Sequence, residues 1–240
     1  MKKIKNHKDF LFVLPILLLA SLLRLYRIGD FMTFLGDEGR DVLVVKHILE
    51  GDLTLLGPRA SAGDFFLGPI YYYFMAPFLW LWRLDPVGPA IMVALLGVCT
   101  VYLVYKMGDK FFNRNTGLIA ALLYAISPLV IVYSRASWNP NVMPFFTLLT
   151  LFILYYAVIQ NRKLLFLIVG GLLGIIMQLH YLGTFVALII AIFVAVGSVV
   201  HAKKFHIQLL VHMCIRYLLI FVGFIIGFSP FLLFELRNGF

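Results

Sequence analysis

Seven apolar stretches, at about residues 10–28, 66–82, 87–105, 116–133, 142–159, 164–200 and 216–234, run through the 240-residue chain. Several reach the 18 or so residues that cross a hydrocarbon core of about 30 Å as a helix. The sixth is too long for one crossing, because a helix of its 37 residues would extend about 55 Å. It is split into a hairpin around the polar break "QLHYLG", residues 178–183, which gives eight candidate spans. The chain therefore reads as an all-α polytopic membrane protein, in keeping with an apolar content of 62%.

Charge then sets the topology. The basic connections are the N-terminus (Lys2, Lys3, Lys5, Lys8), "KMGDKFFNR" (Lys106, Lys110, Arg114), "NRK" (Arg162, Lys163) and "HAKKFHIQLLVHMCIR" (Lys203, Lys204, Arg216). They hold twelve of the 20 Lys and Arg residues, with only Asp9 and Asp109 among the acids, and basic loops collect on the cytoplasmic side. They share that side if the stretch 66–82, "FLGPIYYYFMAPFLWLW", dips into the outer leaflet and returns instead of crossing. Its Gly68, Pro69 and Pro77 and its many Tyr and Trp suit a re-entrant or surface helix. About seven spans result, with the N-terminus cytoplasmic. The rival, eight crossings with the N-terminus outside, is opposed by the four N-terminal lysines.

The leading run is long for a signal sequence and is followed by no small-residue cleavage site, so it is read as an uncleaved anchor. A net charge of +9 in such a chain reflects loop topology, and no nucleic-acid partner is expected. Cys99 and Cys214 have no paired or metal-type spacing. The whole chain, 1–240, is expected to form a single transmembrane domain, with an outer loop at 29–86.

The first part of that loop, 29–65, gathers the acids Asp30, Asp37, Glu38, Asp41, Glu50, Asp52 and Asp64. Within it "DEGRDVLVVKHILEGD" predicts a short helix on the membrane surface. Val42, Val45 and Leu49 form its apolar face, Asp41, Lys46 and Glu50 another, and Gly51 its stop. Adjacent Asp37 and Glu38 repel unless a cation, a proton or a substrate group compensates. They are either a functional pair or a solvated acidic loop. Arg135, where a span emerges, either snorkels to headgroups or clamps a phosphate. Trp138 and Asn139 follow it, and His180 with Gln178 and Tyr181 occupies the hairpin turn, as an interfacial residue or as a phosphate or acceptor ligand. The "GGLLG" run at 170–174 is read as close helix packing.

In this layout the chain resembles the GT-C fold glycosyltransferases that take sugar from a polyprenyl-phosphate carrier, including protein O-mannosyltransferases and the aminoarabinose transferases of lipid A. The residues that carry the resemblance are "GDEGRDVLVVKHILEGDLTLLGP" after the first span, then "FLGPIYYYF", then "SPLVIVYSRASWNPN". The resemblance implies that Asp37 is the catalytic base or acceptor-binding carboxylate, with Glu38 orienting the site or binding acceptor. Arg135 would hold the lipid phosphate, while Trp138, Asn139 and His180 would border the sugar or acceptor. Several relatives carry Asp where Asn139 aligns, and in the oligosaccharyltransferase branch such an acid helps bind a divalent metal. An amide is a weaker ligand, which weakens the case for a metal, and no other cofactor is implied. The lipid A branch's phosphate-binding Lys has no counterpart, since Leu67 and Gly68 stand at its Glu-Lys pair.

The expected activity is transfer of a sugar from a polyprenyl-phosphate donor to a lipid, glycan or protein acceptor hydroxyl. It would occur at the outer face of the cell membrane, with membrane lipids as surroundings. Relatives are commonly about twice this length, so the chain is expected to be part of a larger architecture. A transporter or flippase, or a non-catalytic membrane protein, is the alternative. Against a transporter, the polar groups gather at one face and not near the midplane.

Overall fold

The computed structural model describes residues 3–60, 63, 65–201 and 207–238. Of the charges used above, Lys2, Asp64, Lys203 and Lys204 lie outside them, as do the side chains of Lys3, Lys5, Lys8 and Asp9. Among the described residues the chain is all-α, with one isolated antiparallel bridge between Arg59 and Phe66. It divides into two compact units, Met1–Asp52 with Tyr73–Leu148, and Leu53–Tyr72 with Leu149–Phe240.

In the first unit α1 (Lys3–Leu25), α5 (Val87–Phe111) and α6 (Arg114–Ile126) pack together. Val13, Ala20, Val101, Tyr105, Ala121 and Ala125 form the buried seam. Small residues let the backbones approach: a Cβ on Gly108 would lie 2.6 Å from the Gly117 Cα. The Arg114 guanidinium lies 4.4 Å over the Phe12 ring, so the basic α5–α6 turn and the early part of α1 share one end of this unit. At the other end stand α2 (Ile28–Phe31), α3 (Gly36–Leu49) and the start of α5, where Ile28, Ala90 and Ala94 form a second buried cluster.

The fourth apolar run, read above as one span, is two helices. Ser127 is extended (φ −61°, ψ 118°) and Pro128 opens α7 (Pro128–Tyr133). Proline has no N–H to continue the helix and its ring disfavours an α conformation in the preceding residue. α4 (Ile70–Leu81) has 12 residues, about 18 Å of helix, short of the hydrocarbon thickness. Among the described residues four helices have the length and apolarity to cross a membrane: Val87–Phe111, Asn139–Gln160, Gly183–Val200 and Ile207–Asn238. Phe10–Leu25 and Lys163–Leu179 are shorter apolar helices.

The second unit contains most of α8 (Met143–Gln160), with α9 (Lys163–Leu179), α10 (Gly183–His201) and α11 (Ile207–Asn238). The hairpin inferred from "QLHYLG" is present, turning at His180–Leu182. α11 begins nine residues before the apolar run assigned to it, so Arg216 lies within a helix and not in a loop. Its guanidinium donates to Ser198 Oγ, and to Asn161 Oδ1 at 2.9 Å, joining the α8–α9 turn to α11. At the opposite end Gln178 Nε2 donates to the Gly227 carbonyl at 2.6 Å, and the Gln178 side chain rests on the backbone of Gly68, where a Cβ would meet it at 2.2 Å.

"GGLLG" is indeed a packing element. A Cβ on Gly170 would come within 2.0 Å of the Ile220 carbonyl oxygen, and one on Gly223 within 2.0 Å of the Leu167 oxygen. Gly171 is different, for its Cβ would stand 3.7 Å from the Gly223 oxygen, an ordinary contact. Gly170→Ala is therefore expected to cost about 1–3 kcal/mol through overpacking, whereas Gly171→Ala is neutral or gains slightly from helix propensity. Thermal unfolding in detergent checks this, with the midpoint falling by several degrees for the first variant alone.

Candidate functional site

α3 begins at the Asp37-Glu38 pair and ends as the sequence predicts. The N–H groups of Gly51 and Asp52 donate to the carbonyls of Ile48 (3.1 Å) and His47 (2.9 Å), and Gly51 adopts φ 104°, the left-handed stop expected of glycine. The inward face differs from expectation. Glu38, Asp41, Val45 and Ile48 are buried, whereas Leu49 is 37% exposed, so Asp41 belongs to the inner stripe and not to the outer polar face.

Two carboxylates turn inward because each has a donor. Glu38 Oε2 accepts from the N–H of Leu35, the residue that precedes the helix, at 3.0 Å, which satisfies one orphan donor of the first turn. Asp41, fully buried, accepts from Arg40 Nε and Nη2 at 3.0 and 2.8 Å. Asp37 is the carboxylate left toward solvent, its side chain 55% exposed, with Oδ1 accepting from Arg40 Nη1 at 3.0 Å. Of the adjacent pair, then, Glu38 shapes the helix start and Asp37 is the one open to a ligand.

Arg135, which follows α7, donates through Nη2 to the carbonyl of Leu23, and its guanidinium lies 5.2 Å from the Phe31 ring centre. Its Nε is buried with no hydrogen-bond partner. Beside it is a group that the sequence reading passed over. Arg24, near the end of α1, is completely buried. Nη1 donates to the carbonyls of Ala125 (3.0 Å) and Ala20 (3.3 Å), Nη2 to Tyr124 (3.4 Å), and Nε to Ser134 Oγ (3.3 Å).

The cause lies in the α6–α7 break. Tyr124 would normally receive the N–H of the residue four places on, which is Pro128 and has none. Ser127 then turns the chain before Leu129 can serve Ala125. Arg24 fills both vacant carbonyls, and Gly97 makes the room: a Cβ there would lie 2.8 Å from Ser134 Oγ and 3.1 Å from Arg24 Nε. Among the described residues no carboxylate forms an ion pair with Arg24 or Arg135. Two guanidinium charges thus stand at one end of α1 facing only neutral oxygens, an arrangement that attracts an anion. The signal was present, since an ionisable residue in an apolar run marks a functional site by default.

Phe31 links this pair to α3: Asp37 follows it by six positions, a reach of about 20 Å at most. Trp138 and Asn139 diverge. Trp138 is 36% exposed before a 3-10 turn, Asn139–Val142, that packs on α5, whereas Asn139 is buried. His180 belongs to the second unit. Its Nδ1 accepts from the Leu182 N–H at 3.2 Å, so the neutral ring carries its proton on Nε2. The Tyr181 ring lies 4.2 Å from that ring at a tilt of 32° and meets Phe65 edge-on at 6.2 Å. Among the described residues no three His, Cys, Asp or Glu side chains gather as a metal would require.

An all-α, multi-helix membrane protein with paired guanidinium groups at a helix end is the class that fold and geometry define. The sequence profile of the dolichyl-phosphate-mannose-protein mannosyltransferases matches residues 67–234, more than half of the chain, and the chain belongs to that family. The matched region takes in Arg135, Trp138, Asn139 and His180 and begins after Asp37 and Glu38. The chain is also similar to YycA of Bacillus subtilis (strain 168), a protein named as a candidate mannosyltransferase, with 30% identity over 112 residues. That stretch is 46% of this chain and 16% of YycA, so the chain spans only a small part of its curated relative.

Two outcomes follow from this geometry. Arg24→Met leaves the Tyr124 and Ala125 carbonyls without donors in an apolar setting, at about 1–3 kcal/mol each. The thermal midpoint should fall clearly, and less so in a Pro128→Ala background where the helix can supply its own donors. Burial lowers the pKa of His180 from the usual 6.5. The unfolded chain then takes up the proton first, so the His180 contribution to stability is present above about pH 6.5 and is lost as pH falls through the lower folded value. Midpoints measured across that range should decline toward acid, and the His180→Gln protein should show a shallower decline.

Proposed function

We propose that the protein transfers a sugar from a polyprenyl-phosphate carrier to an acceptor hydroxyl at the outer face of the membrane. The observation that carries the reading is the Arg24–Arg135 pair, two guanidinium groups without a carboxylate partner among the described residues. The bond from the anomeric carbon to the carrier phosphate breaks as the acceptor oxygen bonds to that carbon, and charge grows on the departing phosphate. Cations fixed in a low-dielectric site stabilise that charge more than they stabilise the bound donor. In this reading Arg135 meets the phosphate, and Arg24, its own donors occupied by carbonyls and Ser134, adds charge from behind.

Asp37 takes the acceptor proton as general base, a role that suits the open carboxylate of the pair. Glu38 supports it by fixing the helix start. Trp138 offers an exposed ring to the sugar, Asn139 is assigned to substrate binding within the first unit, and His180 is assigned to it separately within the second. Within the first unit, the basic α5–α6 turn lies at the end opposite Arg24, which favours an outer position for the Asp37 end by the positive-inside rule. The family, named for a dolichyl-phosphate-linked mannose, favours this donor class.

The test is transfer in proteoliposomes from labelled polyprenyl-phosphate sugars to extracted membrane lipids, glycans or proteins, with products identified by mass. Asp37→Asn should lower kcat about 10²- to 10⁴-fold in a protein that still folds and inserts. Arg135→Ala should weaken donor use and Arg135→Lys should restore part of it. Full transfer by Asp37→Asn overturns the assignment, and flux of lipid or solute without transfer replaces it with transport.

A further inference from the structure

Three hydrogen bonds from Arg40 join carboxylates in opposite environments. Its Nε and Nη2 both donate to Asp41 Oδ1, whose side chain is 0% exposed, while Nη1 donates to Asp37 Oδ1, whose side chain is 55% exposed. Asp41 is held within the buried stripe with Val45 and Ile48 and cannot follow the motions of the surface. Asp37 sits in the exposed first turn of α3, where an aspartate has several staggered rotamers and little to choose among them.

A guanidinium changes that choice because it is flat and rigid. With two nitrogens fixed on one buried oxygen, the third nitrogen has a set position, and the carboxylate that accepts from it is set in turn. Asp37 and Asp41 are also four residues apart on one helix face, where two carboxylates repel, and the cation between them removes that penalty. An ammonium cannot do the same: it is a point charge on a flexible stem and cannot present two edges at fixed angles.

We propose that Arg40 is a positioning residue, which carries the fixed position of the buried Asp41 to the Asp37 carboxylate and so holds the base at the acceptor hydroxyl. The inference rests on the reading of Asp37 as the base, and it deepens that reading by naming what orients it. A displacement of about 1 Å at such a group can cost about 10²-fold in rate, so the effect should be visible in kcat.

Arg40→Lys is the informative variant, since it keeps a cation beside buried Asp41 while losing the fork; Arg40→Met strands that carboxylate and risks unfolding. In proteoliposomes the full chain with Arg40→Lys should lose about ten-fold or more in kcat, with donor KM and the thermal midpoint nearly unchanged. Paired with Asp37→Glu, whose longer side chain already displaces the carboxylate, Arg40→Lys should cost less than about two-fold further. Wild-type kcat in Arg40→Lys overturns the proposal. So does a rise in donor KM that accounts for the loss, a matching fall in the midpoint, or an undiminished loss in the Asp37→Glu background. Full activity of Asp37→Asn would instead remove the base itself, an outcome separate from these.

Discussion

A missing proton at Pro128 organises the first unit. Because the α6–α7 break leaves the carbonyls of Tyr124 and Ala125 without helical donors, a donor must come from elsewhere, and at so buried a junction water does not supply it. Arg24 reaches them from α1, and its burial ties α1 to α6 and, through Ser134, to the segment that carries Arg135. Gly97 on α5 lacks a side chain where one would strike this junction. Four helical segments thus meet at one guanidinium. The same group leaves its charge uncompensated by any described carboxylate, so the requirement that holds the helices together also readies their end for an anion.

Much of this was legible before any coordinates. The helix over 36–49, its glycine stop, the hairpin at "QLHYLG" and the packing role of "GGLLG" follow from spacing and residue type, because local preferences and tertiary contacts agree there. The family resemblance, read from short motifs, is matched by the family profile over 67–234.

What was not legible depended on tertiary satisfaction of polar groups. A helical wheel sets Asp41 on a polar face because it weighs residues by type, and it has no knowledge that Arg40 would donate twice to one oxygen of the carboxylate and so lower the cost of its burial. Arg24 was passed over, since nothing in "SLLRLYR" tells that the vacant carbonyls lie a hundred residues downstream. The "SP" pair was visible, yet in a run of continuous hydropathy it did not interrupt the count of spans. Hydropathy also missed the early start of α11, because Gln208, His212 and Arg216 depress the average while lying one turn apart on a single stripe.

That stripe gives α11 a further property. At 32 residues the helix is about 48 Å long, against a hydrocarbon core of about 30 Å, and typical tilts of up to about 40° absorb only part of the excess. The helix therefore extends beyond the hydrocarbon at one end or both, and the stripe of Gln208, His212 and Arg216 gives its first turns groups that suit water. Through Asn161 and Ser198 this arginine also ties α11 to the ends of α8 and α10. Arg216 thus ties the early turns of α11 to its neighbours, while the glycine contacts with α9 set a close approach farther along, so the helix is held to the second unit at two levels of its length.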